Sequence, residues 1–274
     1  MLASEKRYYT FVREERLFCA LLAHLLLQKG NNLATFIELV NAKLPAPARL
    51  PVTGLERAEV YLEFAYLRDY WNSLEQDNVR KRDFIFKLLS QIVSLAEYQS
   101  SYFPSTIPEF NAFFMGDRGR AIENDVVYPG QWSVAALAKR VLGNEQFKDV
   151  CRFKWSFNIK PDVIILIPGS SPLCVEAKLE SREGRYPSNY REAKIFDERF
   201  GSEQGRVRQI ELQEFMFGKL LRSPCQQIVI GRDGGGYQGM PFLSWLEVFQ
   251  RLDKTGSLPF VERLIGENIH LSAR

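Results

Sequence analysis

Apolar residues recur at three- and four-residue intervals from Ser4 to about Lys29, the spacing that gathers one face of an α-helix. Ser4 offers an N-cap and Gly30 a C-terminal stop. A second helix is predicted over LATFIELVNAKL and ends at PAPARLP, whose three prolines withhold the N–H groups that a helix needs. Two longer amphipathic helices follow. One runs from Glu56 to about Gln76 with Tyr61, Phe64, Leu67 and Trp71 as its stripe, the other from Lys81 to about Phe103. Residues 1–107 therefore read as an all-helical N-terminal domain, and residues 108–274 as a second domain.

Past Pro104 and Pro108 the pattern changes. A helix is expected around Arg118 to Val127, and a capped one from Ser133 to Gly143. CRFKWSF, DVIILIP and LCVEAKLE are short runs of β-branched, aromatic and aliphatic residues and read as strands. GSSP between the last two is a turn, so those strands form a hairpin. A polar segment from Glu180 to Gly205 leads to a helix over Arg206 to Leu221, the strand QQIVIGR and a helix near Pro241 to Leu252. The order is helix, three strands, helix, strand, helix, which makes the class α/β with a mixed sheet. Gly234 to Gly236 lack the Lys-Ser/Thr of a phosphate-binding loop and read as a plain connection.

At 274 residues the chain can bury one large core or two small ones. Its net charge of +3 does not by itself argue for nucleic acid or a membrane surface. MLASEKRYYTFVREER carries charges where a secretory signal would be apolar, and LFCALLAHLLL is too short to span a bilayer, so a cytoplasmic protein is expected. Cys19, Cys151, Cys174 and Cys225 stand singly, with only His24 and His270 as imidazole partners. This argues against a zinc site and for reduced, mostly buried thiols. So few histidines also argue against Ser-His or Cys-His catalysis. His24, in an apolar helical stretch, reads as a core histidine.

Chemistry concentrates in the hairpin. Glu176 and Lys178 are two apart on one strand and leave the same face. Asp162 opens the preceding strand, and a turn centred near Ser170 would set it roughly opposite Lys178 and next to Glu176. Paired carboxylates hold Mg²⁺ or Mn²⁺ through hard oxygen ligands, and an adjacent lysine can orient or deprotonate water or stabilise charge on a phosphate. A Glu-x-Lys triplet alone is what any half-exposed strand carries; its conjunction with Pro161-Asp162 across a short turn singles it out.

KPDVIILIP and LCVEAKLE resemble the signature hairpin of the PD-(D/E)XK nuclease superfamily, the restriction-endonuclease-like fold, over roughly residues 109–235. The resemblance implies an αβββαβ core and a Mg²⁺- or Mn²⁺-dependent nuclease, an endonuclease acting on DNA more than RNA, in a prokaryotic restriction, defence or repair setting. In it Asp162 and Glu176 would hold the metal, with the Ala177 carbonyl as a third ligand, and Lys178 would position or activate water. It also implies a glutamate on the helix before the first core strand, matched by Glu123 with Asp125 as its rival. A glutamine on the helix after the Glu-x-Lys strand is matched by Gln209, with Gln213 one turn on. Phe215 or Phe217 stands where RecB-type relatives carry tyrosine. The alternative is a non-catalytic nucleic-acid-binding or assembly subunit that keeps the fold.

Nucleic acid would meet the segment after the Glu-x-Lys strand, where Arg182, Arg185, Arg191, Arg206 and Arg208 interleave with Tyr186 and Tyr190. Guanidinium groups grip phosphates and tyrosines stack on bases. Glu183, Glu192, Asp197 and Glu198 offset part of that charge, so a salt-bridged surface fits the same residues. Arg80, Lys81 and Arg82 form a second basic cluster, readable as a phosphate contact or a solvated loop. The helical region would serve substrate capture, self-association or partner docking.

Overall fold

A computed structural model of the chain describes residues 14–93, 106–141, 143–179, 183–201, 205–232, 239–257 and 259–269. The elements begin with α1 (Glu15–Leu26), α2 (Asn32–Asn41), β1 (Glu59–Leu62), α3 (Tyr66–Ser73) and α4 (Asn78–Leu89). Next come α5 (Ile107–Met115), α6 (Asp117–Arg120), α7 (Val134–Arg140) and α8 (Asn144–Ser156). The hairpin strands β2 (Val163–Leu166) and β3 (Leu173–Ala177) precede β4 (Arg185–Tyr186), α9 (Tyr190–Phe200), β5 (Val207–Arg208) and α10 (Gln209–Phe215). A π-helical turn, Met216–Leu220, leads to β6 (Gln226–Gly231), β7 (Phe242–Ser244), α11 (Trp245–Arg251) and α12 (Pro259–Ile269).

The chain divides into two compact units, and the division differs from the expected split at residue 107. The first unit comprises Met1–Phe64, Pro161–Arg182 and Cys225–Arg274; the second comprises Ala65–Lys160 and Glu183–Pro224. The expected all-helical N-terminal domain is corrected by β1, which pairs antiparallel with β2, Leu62 opposite Val163. A helix across Glu56 to Gln76 is interrupted there because Glu63 takes a left-handed φ of 51° and its N–H bonds the Asp162 carbonyl. Of the predicted stripe, Leu67 and Trp71 are buried on α3, while Tyr61 is exposed.

The first unit is a five-stranded mixed sheet in the order β1-β2-β3-β6-β7. β2 and β3 form the expected antiparallel hairpin, and β6 lies parallel to both β3 and β7. Val163, Ile165, Leu173, Val175, Ala177, Ile228 and Ile230 alternate onto one face and pack with Phe18 and Leu22 of α1, Phe36 and Val40 of α2, and Trp245 and Phe249 of α11. Each fully buried side chain of this size contributes about 1.5–3 kcal/mol, so this layer holds the sheet to its helices. The helix expected from Pro241 begins later, at Trp245, because β7 takes Phe242–Ser244 first; Ser244 then caps it through the Glu247 N–H at 3.0 Å.

The second unit is built on aromatic packing. Trp132 stacks on Phe114 with centroids 3.7 Å apart and on Phe153 at 5.3 Å. Here CRFKWSF is helical, the end of α8, not a strand. Its period-two look over Cys151, Phe153, Trp155 and Phe157 is incidental: Phe147, Val150 and Cys151 bury one stripe of a helix that starts at Asn144. The polar segment after β3 contains α9, opened by Asn189, whose side chain accepts from the Arg191 N–H at 2.9 Å. Ser133 caps α7 as expected, and Asp77 caps α4, whose first residue, Asn78, lies three before the predicted start. The helices predicted over Ser4 to Lys29 and Lys81 to Phe103 end at Leu26 and Leu89, and their parts over 4–13 and 94–103, like Gly234 to Gly236, lie outside the described residues. Cys19, Cys151 and Cys174 are buried free thiols and Cys225 is partly buried, as expected. His24 is the exception among the apolar positions of α1: it is exposed, 3.0 Å from the Gln28 side chain.

Candidate functional site

Extending the Val163–Val175 pair by one residue sets Asp162 opposite Glu176, so the two carboxylates leave the same face of adjacent strands. The turn is centred on Gly169, which takes a φ of 77°, one residue before the expected centre; Asp162 therefore faces Glu176 rather than Lys178. Lys178 lies just past β3, and its N–H continues the ladder to the Ile230 carbonyl at 2.8 Å. Its side chain returns to the same patch, with Nζ 2.6 Å from Glu176 Oε1. The Trp245 indole N–H donates to the Lys178 carbonyl at 3.1 Å, tying this corner to the core.

Every residue of β3 is buried, and Glu176 is 2% exposed. This is not a half-exposed strand carrying a casual Glu-x-Lys. Burying a carboxylate and an ammonium costs several kcal/mol per ion before their attraction offsets it, an expense that packing alone does not require.

Two acids that sequence reading missed complete the patch. Glu15, the first residue of α1, accepts from the Leu179 N–H through Oε1 at 2.9 Å. Glu63 lies beside Asp162 through its N–H bond at 3.0 Å. Burial above all, then the charges of Glu15 and Glu63, push the Asp162 carboxyl above its ordinary range, against the Ala177 N–H at 2.8 Å and the Lys178 charge. Burial works to lower the Lys178 ammonium, but Glu176, Asp162 and Glu15 outweigh it and raise the group, so Lys178 stays protonated. Burial and the same four acids push the Cys19 thiol far up, which makes it an inert core residue.

Among the described residues no three His, Cys, Asp or Glu side chains stand close enough together to hold a metal ion. The donors at hand are the Asp162 and Glu176 carboxylates, to which the resemblance adds the Ala177 carbonyl. This all-oxygen set suits a hard cation such as Mg²⁺, which keeps several waters and takes only one or two carboxylates.

The remaining predicted residues belong to the second unit, apart from Arg182, which lies outside the described residues. The helix expected to carry Glu123 ends at Arg120, and Glu123 is exposed on the loop beyond it. Buried Asn111 explains the loop, donating to the Ile122 and Asp125 carbonyls at 3.0 and 2.8 Å and accepting from the Val127 N–H at 2.9 Å. Asp125 lies 3.8 Å from the Lys81 ammonium. Gln209 opens α10 and donates its N–H to the Gly184 carbonyl at 2.8 Å. The two approach so closely that a Cβ on Gly184 would sit 2.7 Å from Gln209 Oε1. Gln213, Phe215 and Phe217 are core positions.

Of the expected nucleic-acid contacts, Arg185, Tyr190 and Arg191 are exposed, Tyr190 by 82%. Arg206 is paired with Asp197, Arg208 with Glu211 at 2.8 Å, and Tyr186 lies 6.0 Å from the Trp155 ring. Lys81 is buried over Trp71 and Arg82 lies over Phe110, so the second basic cluster is structural except at Arg80.

Comparison with protein families, with curated proteins and with solved structures finds no match to this chain. Among the described residues, no helix is long and apolar enough to cross a membrane.

Proposed function

We propose that the chain is a metal-dependent phosphodiesterase of the PD-(D/E)XK nuclease type, acting on nucleic acid and foremost on DNA. One observation carries this reading: Asp162 and Glu176 are aligned across the β2–β3 hairpin, with Lys178 drawn onto the same buried patch. The sheet strands β1, β2 and β3, antiparallel in turn, and β6, parallel to β3, follow one another as an αβββαβ core requires, with α3 to α8 inserted between β1 and β2, and so support the core that the hairpin's resemblance implies. Within that order Glu15, on a helix ahead of β1, takes the place for which Glu123 was the sequence candidate.

In this reading Asp162, Glu176 and the Ala177 carbonyl hold Mg²⁺ or Mn²⁺, supported by Glu15. The ion supplies charge neutralisation at the phosphate and acidification of a bound water. Lys178, drawn onto the patch by Glu176, would donate hydrogen bonds to the water or to a phosphate oxygen, orienting the one and stabilising charge on the other. Glu63 and Glu15 keep the patch acidic, which disfavours an unescorted phosphate and favours one that arrives with a cation.

The test is cleavage of supercoiled, linear and single-stranded DNA, and of RNA, in a Mg²⁺ and Mn²⁺ series. Glu176→Gln, which retains an acceptor for Lys178, should lower the rate on the order of 100-fold or more with an unchanged circular dichroism spectrum. Full activity in that variant removes the proposal. The closed Glu176–Lys178 pair also favours a second reading, a nucleic-acid-binding or assembly subunit without turnover. Binding undiminished by EDTA, with no cleavage of any substrate, selects it.

A further inference from the structure

Within the second unit, α3, α4 and the π-helical turn enclose a cleft of about 650 Å³. Its wall is aromatic. Tyr66 and Tyr70, one turn apart on α3, lie 23° from parallel with centroids 6.1 Å apart, and Tyr70 sits 4.6 Å from Phe84 of α4. The two tyrosines are 43% and 38% exposed, so their rings present open surface rather than core packing.

The same cleft is lined by three cations, Arg80, Lys87 and Arg222, against one acid, Asp83. Arg80 and Lys87 are two helical turns apart on one face of α4, and neither makes an ion pair among the described residues. Arg222 takes a left-handed φ of 51°, a strain of about 1–3 kcal/mol for a residue with a side chain, and its Nε donates to Gln91 Oε1 at 2.9 Å. The turn before it is π-helical, an irregularity that clusters at binding sites. An apolar ligand would not need the cations, and a bare anion would not need the rings.

We propose that this cleft binds a nucleobase carrying phosphate, as part of a single-stranded nucleic acid. The base stacks on the Tyr70–Phe84 wall, and its phosphates meet Arg80, Lys87 and Arg222. This goes beyond the carboxylate site and stands without it, because no step of it needs metal or turnover.

The experiment is fluorescence anisotropy of 5′-fluorescein-labelled dT10 with the full chain in EDTA, together with competition by unlabelled dT10 and by dTMP. Tyr70→Leu keeps apolar bulk but removes the ring, and should weaken binding about 5- to 100-fold. Lys87→Glu should weaken it comparably and flatten the slope of log Kd against log salt by about 0.7 for each phosphate that is no longer neutralised. Equal competition by dTMP at similar concentrations overturns the assignment to strands and leaves a free-nucleotide site; competition by dT10 but not by dTMP supports the proposal. The absence of dT10 and dTMP binding overturns it. So does undiminished binding by both variants once their circular dichroism and Tm match the parent. Because metal is withheld, failed binding is distinguishable from failed cleavage.

Discussion

Asp162 and Lys178 are pushed in the same direction, towards the protonated form, for different reasons: burial and like charges act on the acid, opposite charges on the base. For Asp162 the sign follows directly. Its folded carboxyl titrates above the unfolded one, so the folded state holds the proton more tightly and loses stability as pH rises through that window. Above the folded value the penalty is complete, and below the ordinary value of 3.8 it vanishes. Asp162→Asn should therefore raise Tm at neutral pH by roughly 2–4 °C while abolishing metal-dependent cleavage. Its advantage should shrink on acidification, and thermal melts of both proteins across pH 3 to 8 check the trend. A variant less stable at neutral pH would show that the attraction of the ionised acid to Lys178 and the charge on its Ala177 N–H bond outweigh the burial cost. Asp162, Glu176 and Lys178 are legible in the sequence because a hairpin brings them together over a short stretch. Glu15 is not, since it reaches the patch only through the packing of α1 on a sheet whose strands lie far along the chain, which no local pattern encodes.

Among the helices and strands, local pattern predicts structure where one periodicity is uninterrupted and fails where two overlap. The hairpin and β6 are short aliphatic runs between turn residues, and they form as expected. CRFKWSF fits both periods, and the aromatic core around Trp132 and Phe153 decides for the helix. Counting that segment as the first core strand points to Glu123 as the glutamate ahead of it, whereas taking β1 as the first strand points to Glu15. Around Glu123 a single buried side chain governs the backbone: Asn111 satisfies the Ile122 and Asp125 carbonyls and the Val127 N–H, work that a continued helix would otherwise do. Asn111→Ala should cost about 2–4 kcal/mol, read as a lower urea midpoint at unchanged m-value. A loss below about 0.5 kcal/mol, within the range of an ordinary surface substitution, would show that water replaces the side chain and that the loop is held elsewhere.

Across the full chain, the first unit is assembled from three separated segments and the second from two, an interleaving that hydrophobic spacing does not reveal. A boundary at residue 107 follows composition, whereas the true division follows strand pairing: β1 joins β2 across the long stretch between them. One consequence is testable on the intact chain. All the acids of the candidate site lie in the first unit, and three backbone N–H groups report on them: Ala177 bonds the Asp162 carboxylate, Leu179 the Glu15 carboxylate and Glu63 the Asp162 carbonyl. A cation held there should slow exchange of these amides. At a Mg²⁺ concentration 100 times its Kd the local stabilisation is about 2.7 kcal/mol, or roughly 100-fold slower opening. Hydrogen exchange by mass spectrometry should show that protection in peptides spanning β2 and β3, with α5 and α8 of the second unit unchanged, and Asp162→Asn should erase it. Equal protection in both units would point to diffuse ion binding, and none at all would leave the paired carboxylates without a cation to hold.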